Sequence, residues 1–271
     1  MSSSERTHPY HLVNPSKWPF FGAMSALTMA ITGIWYMQGG PIFGFLIATA
    51  LLIAVSYVWW RDVTVEAMNG VDHTPTVRHG LRMGMVLFIT SEVMFFFAFF
   101  WAFFDQTVPF ITRTAHDVWP PAGVVPLDAW TLPFLNTLIL LTSGATVTYA
   151  HHAIMKGDRA KCFNGLLLTV ILGVLFTATQ AYEYVHATFG FKDGIYSSTF
   201  YLATGFHGFH VIVGTIFLTV CLFRVKRGHF TPEAHIGFEA AAWYWHFVDV
   251  VWLFLFVCIY WWGGSGYVPA S

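Results

Sequence analysis

The sequence predicts an all-α membrane protein that crosses the bilayer seven times. Hydrophobic residues make up 56% of its 271 residues, charged residues make up only 10%, and the mean hydropathy is +0.59. A soluble domain carries about 25% charged residues, because water must wet its surface. Apolar segments of about 20 residues also recur along the chain, which is the length a helix needs to cross a hydrocarbon core about 30 Å thick.

Charges and turn formers separate seven such segments. We predict membrane spans at 18–37, 41–60, 81–104, 130–151, 161–186, 197–223 and 238–262. Only Gln38-Gly39-Gly40 joins the first two spans before Pro41, which predicts a tight antiparallel hairpin. The chain is therefore expected to divide into an N-terminal tail at 1–17, a two-helix hairpin at 18–60, a polar connection at 61–80 and a five-helix bundle at 81–271.

The placement of positive charge predicts the orientation of these spans. Of the 13 Lys and Arg residues, 11 lie in the N-terminal tail or around the second, fourth and sixth connections, and only Arg113 and Lys192 lie on the opposite side. Lys and Arg are retained on the inner side of the membrane during insertion. This asymmetry predicts an N-inside, C-outside chain, with the tail and the 61–80 connection on the inner side.

Composition and cysteine spacing argue against several other classes. A net charge of −1 disfavours a nucleic-acid partner, which would call for a basic face. Cys162, Cys221 and Cys258 lie far apart, without the spacing of metal ligands, so no metal site is expected in this chain. A retinal-binding pump needs a Lys in its last span, and 238–262 contains none.

Ionisable side chains at membrane depth are the candidate functional residues, because they cost roughly 2.5–3.5 kcal/mol on insertion scales. Glu92 lies near the middle of the third span. It can act as a proton-active group or conformational coupler, or it can be a neutral acid that is hydrogen-bonded to another helix. His207 and His210 in the sixth span, and His246 and Asp249 in the seventh, are each spaced i, i+3 and so share a helix face.

Glu92, His210 and Asp249 are predicted to lie near the bilayer centre, where they could form one polar cluster between the third, sixth and seventh helices. A hydrogen-bond network between helices is the plainest interpretation of such a cluster. Haem ligation is a weaker one, because each ligand histidine must be free of other partners. A stand-alone proton channel or transporter built on these groups and His207 stays open as an alternative.

A second group of residues gathers at the predicted inner boundary. Its members are Trp59, Trp60, Glu66 and His73 around the second span and its connection, and Arg224 and His229 after the sixth span. Cations beside interfacial tryptophans suit an anionic phospholipid headgroup. Ordinary inner-side positive charge explains the same pattern without a bound lipid.

Long motifs distributed along the chain resemble cytochrome c oxidase subunit III. They are HPYHLV at 8–13, WWRDV at 59–63, HTP at 73–75, SEVMFF at 91–96, WPP at 119–121, TGFHGFHV at 204–211 and FEAAAWYWHFVDVVWLFL at 238–255. The resemblance implies a subunit of the haem–copper oxidase that reduces O₂ to water with electrons from cytochrome c and pumps protons. It also implies a bacterial or mitochondrial inner membrane as the location.

The resemblance further implies how such a subunit works. Haems and copper are expected in the partner subunits I and II, and structural phospholipids are the ligands expected here. The first two helices are expected to splay from the other five and leave a lipid-filled cleft. Stabilisation of the catalytic subunit and support of proton uptake are the expected functions, with His8 and His11 as candidate surface proton collectors.

Individual residues match the motifs of that family. Glu92 matches its buried, carbodiimide-reactive carboxylate, and His210 matches a residue expected nearby. The lipid headgroup contacts of the family match Trp59, Trp60, Glu66, His73, Arg224 and His229. One local departure is Asp72, where many relatives have a second histidine, and its negative charge would repel a phosphate.

Overall fold

The computed structural model describes residues 9–10, 15–68, 73–108, 119–121 and 123–265, and every regular element in these ranges is helical. Seven of the helical segments are long and apolar enough to cross a membrane, which confirms the predicted fold class. The elements are α1 (Trp18–Met37), α2 (Ile42–Met68), α3 (Pro75–Thr107), α4 (Leu132–Met155), α5 (Arg159–His186), α6 (Ile195–Lys226) and α7 (Ile236–Leu255). The last of them continues directly into a π-helical stretch, Phe256–Trp262, which is called the π segment below.

Several helices are longer than the predicted spans. The predicted connection at 61–80 contains the last turns of α2, which runs to Met68, and the first turns of α3, which begins at Pro75. Hydropathy marks only the part of a helix that crosses hydrocarbon, whereas a helix extends into the headgroup region until its sequence breaks it. Pro suits the first turn of a helix, where its missing N–H would have no intrahelical partner. His8, His11 and Asp72 lie outside the described residues.

The chain folds as two compact units, Met1–Leu81 and Arg82–Ser271. In the first unit α1 and α2 pack as an antiparallel hairpin. Gly39 has a φ of +94°, and the Gly40 N–H donates to the Trp35 carbonyl at 2.9 Å. A Cβ atom on Gly40 would lie 2.8 Å from that same carbonyl, so the turn requires a glycine there. The indole N–H of Trp18 donates to Asp62 at 2.8 Å and joins the far ends of the two helices.

In the second unit, α7 forms the centre of the bundle. The Trp245 ring is fully buried, and its indole N–H donates to Ser143 Oγ of α4 at 2.9 Å. Cβ atoms placed on Gly173 of α5 and Gly214 of α6 would each lie 2.8 Å from the same ring. Small residues allow helices in lipid to approach closely. The two glycines therefore make the space in which Trp245 contacts three other helices.

Large apolar side chains cover the outside of both units. Phe43 is 72% exposed, Tyr57 is 71% exposed and Val185 is 80% exposed. Soluble monomers rarely expose contiguous apolar patches of more than a few hundred Å². These surfaces therefore face lipid or another membrane protein, as the predicted fold class requires.

Candidate functional site

Glu92 of α3 is paired with His210 of α6. Glu92 Oε2 lies 2.9 Å from His210 Nε2, and the two side chains are 21% and 8% exposed. His210 Nδ1 lies 2.7 Å from the carbonyl oxygen of Phe206, which can only accept, so Nδ1 carries a proton. One further proton is then shared between Nε2 and the carboxyl. The pair is either a carboxylic acid that donates to a neutral imidazole or a carboxylate that accepts from an imidazolium.

Aromatic rings enclose this pair. The His210 ring lies 4.9 Å from the Phe96 ring, 6.1 Å from Phe247 and 6.3 Å from Tyr244, measured between ring centroids. Phe96 is only 2% exposed. Rings packed this closely exclude water, and a polar contact is electrostatically stronger in such a low-dielectric environment. The shared proton therefore couples α3 to α6 inside an apolar environment.

His246 and Asp249 form a separate pair that faces α4. Asp249 Oδ2 lies 3.5 Å from His246 Nδ1, and His246 Nε2 lies 3.1 Å from Thr148 Oγ1. A Cβ atom on Gly144 would overlap Asp249 Oδ2, so the carboxyl lies directly on that glycine. Asp249 Oδ1 is buried without a hydrogen-bond partner.

Within the described residues, no hydrogen bond joins the Glu92–His210 pair to the His246–Asp249 pair. The polar residues of the predicted single cluster therefore form two separate pairs, which lie at different faces of α7. Phe247 faces the first pair. Asp249 follows it by two residues, about 200° further around the helix, and faces α4.

His207 is buried between aromatic rings about one turn before His210 in α6. Its ring centroid lies 5.7 Å from that of Phe176 and 5.2 Å from that of Trp252. Its Nε2–H donates a hydrogen bond to the Val248 carbonyl at 3.2 Å, while Nδ1 is buried without a partner. His207 thus binds the backbone of α7 and does not join the Glu92 pair.

The intramembrane histidines do not fit haem ligation. Both ring nitrogens of His210 and of His246 already have partners, one in the same helix and one in a neighbouring helix. His207 has a single unengaged nitrogen, and that atom lies between packed rings. Over the described ranges, no group of three or more His, Cys, Asp and Glu side chains is placed to hold a metal ion.

Sequence reasoning missed one intramembrane carboxyl, that of Glu183 in α5. It is 4% exposed, and its Oε1 accepts from the Tyr260 hydroxyl at 2.6 Å and from Gln180 Nε2 at 2.9 Å. It lies three residues before the end of the predicted span 161–186, close to the expected boundary of the hydrocarbon core. The sequence could still have identified Glu183, because Gln180 and Glu183 have the same i, i+3 spacing as the other polar pairs.

The first unit holds the predicted inner-boundary residues that precede α3. Trp59 and Trp60 of α2 are 37% and 67% exposed, as interfacial rings are. Glu66 is half-buried in the last turns of α2, and His73 is half-buried just before α3. The His73 carbonyl accepts from Arg78 Nε at 3.1 Å.

The end of α6 explains how Arg224 and His229 come together. Gly228 has a φ of +74°, its N–H donates to Val225, and the His229 N–H donates to the Arg224 carbonyl, both at 3.0 Å. These two backbone hydrogen bonds, together with a glycine in the left-handed conformation, form the Schellman motif that ends a helix. It folds the chain back so that His229 lies next to the last turn, beside Arg224.

Both side chains carry buried nitrogens without an acceptor. The Arg224 guanidinium lies 4.3 Å over the Phe230 ring, and its Nε has no hydrogen-bond partner. His229 Nδ1 is likewise buried without a partner. Partial desolvation, with the positive charges of Arg224 and Arg227, lowers the pKa of the His229 imidazole. Two adjacent donors of this kind suit a phosphate-type oxyanion.

Comparison with known proteins gives full-length similarities. Residues 8–264 match the family model described as cytochrome c oxidase subunit III. The chain is 58% identical over 263 residues to cytochrome c oxidase subunit 3 of Prototheca wickerhamii, covering 96% of this chain and 100% of the relative. It is 56% identical to that of Marchantia polymorpha, covering 98% and 100%, and 54% identical to that of Arabidopsis thaliana, covering 97% and 100%. The matched residues include all seven membrane helices.

Proposed function

Because the chain belongs to the cytochrome c oxidase subunit III family, we propose that it is the non-redox companion of the oxidase's catalytic subunit I and of subunit II. It is a multi-pass inner-membrane subunit of the respiratory oxidase. In this proposal the haems and copper that pass electrons from cytochrome c to O₂ belong to the partner subunits, and structural phospholipids are the ligands of this chain. The predicted N-inside, C-outside orientation places the end of α6 and the start of α3 on the side from which protons are taken up.

The observation that carries the supporting role is the engagement of Glu92 with His210. A stand-alone proton channel would need its ionisable groups to follow one another across the bilayer. Here Glu92 is satisfied by α6, Asp249 faces α4, and His207 binds the backbone of α7. These contacts fix helices against one another, which is what a stabilising subunit requires. The single shared proton lets the α3–α6 contact respond to proton uptake by the catalytic subunit.

Substitution of Glu92 by Gln in the assembled oxidase tests this role. The initial rate of O₂ reduction is expected to stay near the wild-type value, because electrons do not pass through this chain. The number of turnovers before inactivation is expected to fall, because the proton-sharing contact is lost. Glu233→Gln is the matched control, since Glu233 lies in an exposed loop between α6 and α7. Complete loss of initial activity in a correctly assembled complex would instead place Glu92 in the reaction itself.

The second part of the proposal is an anionic phospholipid at Arg224 and His229. It is supported by the two buried nitrogens without acceptors, since a phosphate would satisfy both donors, and by the positive charges of Arg224 and Arg227 near His229. Trp59, Trp60, Glu66 and His73 of the first unit are proposed as headgroup contacts in their own right. Their exposed rings and half-buried polar groups suit the interface.

Phospholipid content separates a bound lipid from ordinary inner-side charge. Arg224→Ala is expected to lower the phospholipid retained by delipidated oxidase and to shorten the number of turnovers before inactivation. Lys226→Ala is the matched control, because it removes one positive charge from an exposed position of the same helix. Equal lipid loss in the two variants would mean that charge alone retains lipid. Unchanged lipid in Arg224→Ala would end the proposal.

A further inference from the structure

The buried carboxyl of Glu183 has no part in the contacts proposed above. One of its oxygens, Oε1, accepts both the Tyr260 hydroxyl and the Gln180 amide. The other oxygen, Oε2, is buried without any hydrogen-bond partner. The residue as a whole is only 4% exposed. One oxygen of this intramembrane carboxyl thus accepts two hydrogen bonds, while the other accepts none, and this asymmetry needs an explanation.

The neighbouring polar groups cannot satisfy Oε2, because they already satisfy one another. Gln180 Nε2 also donates to the Tyr260 hydroxyl at 3.2 Å, and Gln180 Oε1 accepts from Asn136 Nδ2 at 3.3 Å. Asn136 Oδ1 in turn accepts from the Thr179 hydroxyl. Every group in this chain of contacts has a partner except Oε2. Oε2 is thus the one oxygen of the Glu183 carboxyl that no side chain of the cluster contacts by a hydrogen bond.

The groups around Glu183 determine whether its carboxyl can be ionised. The titratable groups packed near it are tyrosines: Tyr260 in the π segment, Tyr184 in α5 and Tyr201 in α6. The Tyr184 hydroxyl donates to Thr204, and the Tyr201 hydroxyl donates to the Phe189 carbonyl. From α4 the cluster receives the uncharged Asn136. In the described part of the chain no Lys, Arg or His interacts with the carboxyl, so nothing there balances a negative charge.

A carboxyl in these surroundings is expected to be protonated. An ionised carboxylate buried without a cation carries a large desolvation penalty, and a buried group avoids it by taking up a proton. The proton belongs on Oε2, because Oε1 is already the acceptor of two donors. Protonation leaves those two donors in place and removes the charge.

The backbone gives an independent reason to look at this cluster. Tyr260 lies in the π segment, Phe256–Trp262, which extends the α-helical α7. π-helical turns are rare, and where they occur inside helices they are frequently at functional sites. The irregular stretch thus delivers the buried hydroxyl that binds Glu183, and the two features coincide at one place in the bundle.

From this coincidence we propose that Glu183 is a proton-binding site. It holds a neutral carboxylic acid with its proton on Oε2, and its Oε1 fastens the π segment to α5. When the proton leaves Oε2 for water, the carboxylate keeps both electrons of the broken O–H bond and gains no new donor. Deprotonation therefore leaves an uncompensated buried charge, and the two hydrogen bonds that Oε1 accepts become charge-assisted. This site is distinct from the Glu92–His210 pair and does not depend on the function proposed for it.

Infrared spectroscopy of the assembled oxidase tests the proposal. Complexes are prepared with and without ¹³C-carboxyl-labelled glutamate, so that carbonyl bands of glutamic acid are identified by their isotope shift. The wild type is expected to show a protonated-acid carbonyl band that shifts in D₂O and is absent from Glu183→Gln. Glu233→Gln, which changes an exposed carboxyl, is expected to leave the acid region unchanged.

A second variant keeps the proposal testable if Glu183→Gln fails to assemble. Tyr260→Phe removes one donor to Oε1, so it is expected to move the same carbonyl band to higher frequency. An acid band that does not respond to Tyr260→Phe would refute the assignment. Loss of a carboxylate band, instead of an acid band, in Glu183→Gln would also overturn it. If that carboxylate band responds to exchange of K⁺ for Na⁺, the site binds a monovalent cation.

Discussion

Replacement of Glu92 by Leu, compared with Glu92→Gln, measures what the contact between α3 and α6 contributes. Leucine has a similar volume but no hydrogen-bonding group, so it leaves His210 Nε2 without a partner. If the imidazole is neutral, leaving its buried Nε2 acceptor without a hydrogen bond costs about 1–3 kcal/mol of stability. If the imidazole is charged, the uncompensated charge costs about 3–5 kcal/mol. The size of the loss therefore reports the protonation state of the pair.

Glu92→Gln keeps the shape and can donate an amide N–H to His210 Nε2. We expect it to change stability by less than about 1 kcal/mol, since a typical net hydrogen bond is worth about 0.5–1.5 kcal/mol. The double variant Glu92→Leu, His210→Leu is expected to recover most of the loss of the single Leu variant. In that protein no polar atom of the pair remains buried, and replacement of both partners by apolar groups is close to neutral.

The assay is the midpoint temperature at which the chain is lost from the detergent-solubilised oxidase, followed on native gels. A change of 1 kcal/mol corresponds to about 2–4 °C for a domain of about 150–250 residues. Glu92→Leu is then expected to lower the midpoint by several degrees and Glu92→Gln to leave it almost unchanged. A Leu variant as stable as the wild type would refute the reasoning. Equal damage by Gln and Leu would show that the proton itself, and not the hydrogen bond, holds the two helices together.

Two further predictions concern the packing of Asp249 against Gly144 and the pH dependence of lipid binding at His229. Gly144→Ala places a methyl group against Asp249 and is expected to cost about 1–3 kcal/mol, as overpacking of a bundle core does. Its control is Gly205→Ala, whose Cβ meets nothing within 4 Å, and equal effects in the same thermal assay would contradict the close packing. Phospholipid retention is expected to increase as pH falls below the ordinary histidine pKa of about 6.5, because a phosphate favours the charged form of His229 and protonation in turn favours the phosphate. Retention measured against pH should lose this dependence in His229→Ala, and an unchanged profile would separate His229 from the lipid.

In the lipid-free chain, the effect of pH through His229 has the opposite sign: stability decreases as pH falls. In the folded chain the pKa of this imidazole is lowered, so the folded state binds fewer protons than the unfolded state between the lowered value and the ordinary one. Stability contributed by the neutral imidazole is present above that window and is lost as pH falls through it. A bound phosphate raises the pKa and reverses the trend. Acidification therefore weakens the lipid-free end of α6 and strengthens the lipid-bound one.

The sequence was sufficient for the number and the class of the elements. Charged residues and turn formers separate the seven apolar segments, and each segment forms a helix. Their lengths were underestimated where polar residues continue a helix beyond the hydrocarbon, as in the turns of α2 between Trp60 and Met68. Hydropathy does not register those turns, because Arg61, Asp62, Thr64 and Glu66 lower its value there.

The side-chain partners were harder to predict than the helices. The i, i+3 spacing predicts only a shared helix face, and His246 and Asp249 on one such face lie 3.5 Å apart. His207 and His210 have the same spacing, but His207 binds the Val248 carbonyl of α7 while His210 binds Glu92 of α3. Spacing defines a face of one helix, but it does not say which neighbouring helix that face meets. The neighbours depend on packing, which in this bundle is set by glycines beneath Trp245.

The three buried carboxyls, Glu92, Asp249 and Glu183, raise a question that packing alone does not answer. Apolar side chains in lipid gain little by leaving the tails, so polar contacts and small residues fix which helices meet. A hydrogen bond between membrane helices is worth about 0.6–2 kcal/mol, whereas an ionisable residue costs roughly 2.5–3.5 kcal/mol to insert. An Asn or Gln would make the same contacts without the larger cost. The contact alone therefore does not account for a carboxyl at these positions, whereas the proposed capacity to bind and release a proton would. That proposed capacity would distinguish Glu92 and Glu183 from the uncharged side chains of Asn136, Thr179 and Gln180 near Glu183.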